Sequence, residues 1–375
     1  MIANARSNTL TLVAAVVVAL AASCDKKEER PKVEPPAAKE AVASPTATAS
    51  GGAAKLDESL LVAFAKLPAA VESPENPLTE EKIELGRALY YETKLSAGKD
   101  ISCNSCHKLD AYGVDGEKTS PGHKKQRGAR NSPTVYNAAG HFVQFWDGRA
   151  KNVEEQAKGP ILNPIEMAMP DEKAVLAALK AAKYEERFKK AFPAEKEPLT
   201  YDNVAKAIGA FERKLMTPSR WDKFLGGDAS ALSDAEKAGF KKFTDSGCNA
   251  CHAGPYLGGQ MYQKLGLARP WPKEDDQGRF AVTKQDPDKM MFKVPTLRNV
   301  KKTAPYFHDG SVATLEEAIK LMASHEVGKD LSDADVASIS TFLDALTGEI
   351  PTAYVAPPSA AGTSGSAKPA ASPSK

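Results

Sequence analysis

Four of the chain's five cysteines fall into two Cys-x-x-Cys-His runs, "CNSCH" at 103–107 and "CNACH" at 248–252. Nothing else in the 375 residues constrains the fold so tightly. Two cysteines three apart on one turn can each form a thioether with one vinyl group of a haem, and the adjacent histidine then points its imidazole at the iron. A redox disulfide would follow the strand of a βαβ unit, and no such unit is visible here. Zinc would need four ligands at finger-like spacing, which neither run offers. The two runs therefore predict two covalent c-type haems, on Cys103 and Cys106 and on Cys248 and Cys251, with His107 and His252 as proximal ligands. A haem whose sixth position is filled passes electrons, whereas one whose sixth position opens can bind a small oxidant. The remaining histidines are His123, His141, His308 and His325, and the second half carries Met261, Met290, Met291 and Met322. Spacing alone does not choose among them.

The fifth cysteine closes an export signal. "MIANARSNTLTLVAAVVVALAASC" has a short leader carrying Arg6, then an apolar run from Leu10 to Ala22 that is too short to span a bilayer. The residues before Cys24 resemble a bacterial lipobox, so residues 1–24 read as a lipoprotein signal with Cys24 as the lipidated residue. The plainer alternative is cleavage near Ala22. Asp25 resembles the signal that keeps lipoproteins on the inner membrane, which predicts a periplasmic protein held to the membrane by a lipid anchor only. Residues 25–54 mix Lys, Glu, Pro, Ala and Ser without apolar periodicity, and 351–375 are rich in Pro, Ala, Ser and Gly. Both read as disordered, since neither buries enough surface to offset chain entropy. With 50 basic against 48 acidic residues, nothing suggests a nucleic-acid partner.

Between these ends the order helix, Cys-x-x-Cys-His, long irregular stretch, closing helix occurs twice. The leading helices are expected over 79–96 and 232–247, the second opened by a capping box of Ser233 and Glu236. The closing helices are expected over 200–215, with Val204, Ile208, Phe211 and Leu215 on one face, and over 331–346, with Val336, Ile339, Phe342, Leu343 and Leu346. The fold class is mostly α: two cytochrome c-like domains, 55–219 and 220–350, each with one haem. The boundary is expected near 216–228, where Pro218 and paired glycines sit.

Several ordered stretches resemble the bacterial di-haem cytochrome c peroxidases: "GVDGEKTSPGHKKQRGARNSPTVYNA", "QFWDGRAKNVEEQAKGP", "NPIEMAM" and "FKVPTLRNVKKTAPYFHDGSVATLEEAI". The resemblance covers 75–350 and implies roles residue by residue. His123 would be the removable distal ligand of the first haem. Glu166 would be the acid/base residue of the peroxide pocket, Gln156 its polar neighbour and Trp146 the tryptophan between the haems. Met322 would ligate the second haem. The Asn131 side chain with the carbonyls of Thr303 and Pro305 would bind calcium between the domains. By residue type alone, Glu166 could equally cap a helix, Trp146 and Met322 could be core, and His123 an exposed side chain. The roles of His308 and His325 stay open, His325 ranking below Met322 as a ligand.

The implied activity is reduction of hydrogen peroxide to water with electrons from a small cytochrome c or a cupredoxin, in a homodimer. The electrons would enter at the C-terminal His/Met haem and pass to the N-terminal peroxidatic haem. One rival oxidises a protein substrate, as in maturation of methylamine dehydrogenase; in that branch a tyrosine stands where this chain has Met322. The other is a di-haem electron carrier, which would need neither Glu166 nor Gln156.

Overall fold

The computed structural model describes residues 58–358. Cys24, the export signal and the tether lie outside the described residues, as does the chain beyond 358. The first half runs through α1 (Glu80–Tyr90), α2 (Cys103–Cys106), α3 (Val153–Leu162), α4 (Glu172–Ala181), α5 (Glu185–Ala191) and α6 (Tyr201–Glu212). The second half has α7 (Arg220–Leu225), α8 (Asp234–Asp245), strand β1 (Tyr262–Lys264), α9 (Phe280–Thr283), strand β2 (Met291–Lys293), α10 (Leu315–Val327) and α11 (Asp333–Asp344). A short α12 (Thr352–Val355) follows. The strands pair antiparallel, with Tyr262 opposite Lys293. The described chain is thus mostly α, and none of its helices is long and apolar enough to cross a membrane.

The predicted helices form, and their starts follow from their caps. Ser233 and Glu236 make the expected capping box, the Ser233 N–H donating to Glu236 Oε2 at 2.9 Å and the Glu236 N–H to Ser233 Oγ at 3.3 Å. Thr79 and Thr200 accept from the N–H groups of Lys82 and Asn203. The named apolar faces of α6 and α11 are buried throughout. In each half the leading helix crosses the closing helix at a glycine. A Cβ on Gly86 of α1 would lie 1.9 Å from the Ala207 carbonyl oxygen on α6, and one on Gly239 of α8 would lie 2.2 Å from the Ser338 oxygen on α11. Backbones approach this closely only where a side chain is missing. Gly239→Ala should therefore cost about 1–3 kcal/mol by forcing the helices apart, read as a lower denaturant midpoint for the holoprotein.

The repeat runs further than the helices. "PTVYN" (133–137) and "PTLRN" (295–299) each end in an asparagine with left-handed backbone, φ 63° at Asn137 and 61° at Asn299. Both side-chain amides donate to the same hydroxyl, Thr217 Oγ1, at 2.9 Å. "FWDG" (145–148) and "FHDG" (307–310) then form matching turns, closed by the bridges Gln144–Ala150 and Tyr306–Val312. Thr217 is fully buried. Thr217→Val should strand both amides at about 1–3 kcal/mol each, measurable by chemical unfolding followed by circular dichroism.

The segment 216–228, near which the boundary is expected, contains α7, whose Trp221 is fully buried among Phe64, Phe240 and Phe342. The chain ends also cross over. Phe64 packs edge-on against Trp221 and Phe240 at 5.6 and 5.4 Å, so the segment before α1 belongs to the second core. In the opposite sense, Tyr354 of α12 stacks on Phe211 at 5.1 Å, and Tyr91 donates to the Val355 carbonyl at 2.6 Å. The structureless tail expected from 351 therefore starts with an ordered helix that completes the first core.

Candidate active site

The second Cys-x-x-Cys-His run lies on a tight turn after α8. Gly247 turns the chain with φ 94°, and Cys248–Ala250 follow as one 3-10 turn. His252 is positioned by its own loop, Nδ1 lying 3.1 Å from the Leu257 carbonyl, which leaves Nε2 as the free ligating nitrogen. Cys248, Cys251, His252 and Met322 all line one cavity of about 270 Å³. Its walls are largely apolar, with Phe243, Leu265, Phe292, Leu297, Ile319 and Leu343. A thioether-linked haem fits this donor set: two thiols, an imidazole and a thioether around an apolar space. Burial pushes the Cys248 thiol up to about 11 and Cys103 up to about 12. Such thiols stay protonated at neutral pH, the reverse of what a redox Cys-x-x-Cys pair requires. His325 is turned elsewhere, with Nδ1 3.0 Å from the Arg269 carbonyl and its ring against Trp271 at 4.9 Å.

The first run is α2 itself. Cys103 packs beside Tyr90, Leu109 and Tyr136. His107 Nδ1 lies 3.4 Å from the Gly113 carbonyl, and Tyr90 donates to the His107 carbonyl at 2.8 Å. Burial pulls the His107 and His252 imidazoles below their usual range, which favours the neutral form that an iron ligand would need. The Cys106 thiol is raised chiefly by burial, and the nearby Glu166 charge adds to the rise while the Ser120 hydroxyl opposes it.

Glu166 and His123, 43 positions apart by chain number, are held together by their backbones. The His123 N–H donates to the carbonyls of Ile165 at 2.9 Å and Glu166 at 2.8 Å. Gly122 allows this approach, since a Cβ there would meet the Ile165 oxygen at 2.1 Å. The Glu166 loop is itself folded back on α3, the Met167 N–H donating to the Pro160 carbonyl at 3.2 Å. Asn163 donates to Glu166 Oε1 at 2.8 Å. Burial raises the Glu166 carboxyl, opposed by the charge of Arg149 and the Asn163 hydrogen bond. Arg149 stacks on the Phe145 ring at 3.4 Å and pairs with Asp147 at 3.0 Å. Gln156 is half-buried on α3, the helix whose end leads into the Glu166 turn.

Trp146 and His308, which occupy matching places in the two halves, meet between the motifs with ring centroids 6.5 Å apart. The backbone beneath them is paired in the same twofold sense. The Asn131 N–H donates to the His308 carbonyl at 2.7 Å, and the Lys293 N–H to the Trp146 carbonyl at 2.8 Å. Trp146 Nε1 donates to the Asn131 carbonyl at 3.0 Å, and His308 stacks on Phe292 at 4.4 Å. Asn131, Thr303 and Pro305 line the same cavity as His252. Arg149, Lys293 and the placement of His308 escape a reading of residue types. Aligning the two "PT-x-x-N" segments is the signal that would have found Lys293 and His308.

The family described as di-haem cytochrome c peroxidase matches residues 80–230. The chain is 45% identical over 286 residues to the cytochrome c551 peroxidase of Nitrosomonas europaea, covering 76% of this chain and 84% of that relative. It is 44% identical over 297 residues to the cytochrome c551 peroxidase of Pseudomonas aeruginosa, covering 77% and 85%. Among solved structures, a MauG-like protein associated with microbial copper homeostasis is similar at a TM-score of 0.69 and 30% identity, over 78% of this chain and 97% of that one. A chain this similar over three quarters of its length belongs to the di-haem cytochrome c peroxidase family, whose members are oxidoreductases acting on peroxide.

Proposed function

We propose that the chain reduces hydrogen peroxide to two waters, consuming two electrons and two protons. A small cytochrome c or a cupredoxin would supply the electrons; Cys248 and Cys251 would hold the haem that receives them, and Cys103 and Cys106 the haem that serves peroxide. The observation that carries this reading is that a half-buried carboxylate, Glu166, sits on the loop whose carbonyls accept from the His123 N–H. When bound, the haems would supply a site for peroxide and a store for one electron.

This chain's residues do the rest. His123, on an exposed-edge loop clipped to the Glu166 loop, moves aside to admit peroxide. Glu166 takes the proton from the near oxygen and returns it to the far one, so that the far oxygen leaves as water. Gln156 orients the peroxide with its amide. Trp146 stands between the two haem sites. His252 and Met322 would hold the second haem, and a thioether ligand would raise its potential, which would suit it to accept electrons from a soluble donor. Met322→His should lower that potential enough that ascorbate no longer reduces the haem, a change visible in the absorbance spectrum.

The Asn131 side chain and the carbonyls of Thr303 and Pro305 are oxygen donors of the kind calcium prefers. Stripping calcium with a chelator should slow turnover reversibly, recovering when calcium is returned. We place the protein in the periplasm, anchored to the inner membrane through Cys24, and working as a homodimer; mass analysis of the mature N-terminus and sedimentation test these two points. Met322 stands against the protein-oxidising rival. The deciding experiment poises holoprotein with ascorbate so that only the second haem is reduced, then adds peroxide. Rapid reoxidation of that haem supports peroxide reduction, and no response, with calcium present, favours an electron carrier.

A further inference from the structure

Lys293 ends β2 with only 5% of its surface exposed, and it lines the cavity that holds His252 and Met322. Its ammonium donates to His141 Nδ1 at 3.4 Å. No carboxylate among the described residues lies within ion-pair distance of it. The other buried cations are treated differently. Arg213 pairs with Glu154 at 2.8 Å, and Arg298 pairs with Asp222. His141 is also buried, and its Nε2 has no hydrogen-bond partner. The one carboxyl on the cavity wall, Glu326 on α10, accepts from the Gly266 N–H through Oε1 at 2.7 Å; its Oε2 has no hydrogen-bond partner, and it makes no ion pair with Lys293. The corner formed by Lys293 and His141 thus holds an ammonium and an unpartnered ring nitrogen with no carboxylate in ion-pair range, an arrangement that is costly unless an anion completes it.

The pseudo-twofold relation gives the same answer. Lys293 and His141 occupy the places that Asn131 and Thr303 occupy on the other side, with matching backbone bonds to Trp146 and His308. One side presents amide and carbonyl oxygens, which suit a cation. The other presents an ammonium and an imidazole, which suit an anion. The cavity's occupant in the proposed function is a haem joined through its vinyl groups, and such a haem carries two carboxylates.

We infer that Lys293, backed by His141, forms a carboxylate-binding corner, and that the carboxylate it holds belongs to the haem on Cys248 and Cys251. The inference rests on the haem reading above but not on peroxide turnover. Lys293 is thereby a positioning residue for the second haem and lends its charge to the reduced state.

The test uses holoprotein grown with a carboxyl-13C haem precursor. Redox-difference infrared spectra are taken on reducing only the ascorbate-accessible haem, for wild type, Lys293→Met and Lys293→Arg. Expected is a shifted or protonated carboxylate band in Lys293→Met and a smaller shift in Lys293→Arg. The oxidised-to-reduced equilibrium should also move about tenfold toward the oxidised form in Lys293→Met, or about 59 mV for a one-electron couple, and stay within about twofold in Lys293→Arg. Should Lys293→Met fail to load haem, the Lys293→Arg band shift decides alone. Carboxylate bands unmoved in the variants overturn the pairing, even if the potential falls, because a bare field effect or a small free anion would then explain the corner. Peroxide turnover is measured on the same samples. Shifted bands without turnover would sink the peroxidase reading and leave this one standing.

Discussion

Glu166→Gln is expected to lower peroxide turnover by about 10²–10⁴-fold, the range for losing a positioned acid/base group, while both haems remain attached. That corresponds to about 3–5 kcal/mol of transition-state stabilisation at 1.36 kcal/mol per tenfold. The substitution keeps the size of the side chain and leaves the clip to His123 intact, since the His123 N–H bonds to main-chain oxygens. A neutral amide is too weak a base to accept a proton and return it, so chemistry is lost without loss of the pocket. Single-turnover mixing of half-reduced variant with peroxide checks this. Wild-type reoxidation rates in the variant would remove Glu166 from the mechanism and leave the carboxylate as a structural group of the loop.

Arg298→Met is expected to destabilise the protein by about 3–5 kcal/mol, the effect of leaving one member of a buried ion pair alone. Arg298 is fully buried and pairs in two places with Asp222, Nη2 lying 3.0 Å from Oδ1. It also donates to the Pro255 carbonyl from Nε at 2.9 Å and Nη2 at 2.7 Å. Pro255 belongs to the loop between His252 and Leu257 that mounts the second proximal histidine, so the variant should loosen that haem as well as the core. Burial pushes the Asp222 carboxyl up, but the Arg298 hydrogen bonds and charge, with the N–H groups of Leu67 and Ser219, outweigh it and hold it below the usual carboxylate range. A carboxyl lowered in the folded state contributes its stability above the pH where the unfolded aspartate titrates, and loses it as pH falls through the folded value. Wild type should therefore lose this contribution only in strong acid. In Arg298→Met the stranded carboxyl is raised instead, so the gap between variant and wild type should narrow on acidification. Denaturant unfolding at neutral and acidic pH reads both effects. An equal gap at both would mean that the lost packing and Pro255 bonds, rather than the charge, set the cost.

The haem motifs were legible because thioether attachment demands fixed residue types at fixed spacing, and each run meets that demand within five residues. The leading and closing helices were legible for a different reason: caps such as Ser233 with Glu236, and faces such as Val336, Ile339, Phe342 and Leu343, are local patterns. Glu166, His123 and Met322 became candidates only through resemblance, because a single carboxylate, imidazole or thioether in a loop or helix has no local signature. Their neighbours explain why. The His123 clip is made by backbone atoms, and Met322 reaches the His252 cavity from a helix that reads as ordinary core.

The sequence by itself determined two Cys-x-x-Cys-His turns, a mostly α chain and a repeated order of elements, all of which depend on residues close together along the chain. The tertiary structure decided which loops face each other. It brought Phe64 to the second core and Tyr354 to the first, placed Trp146 against His308, and left Lys293 beside His141 without a carboxylate. Those pairings join residues far apart in the chain through backbone hydrogen bonds and cavity shape, and no residue type announces them. Their physical basis is the pseudo-twofold packing of two similar halves about Thr217, which exists only once both halves have folded.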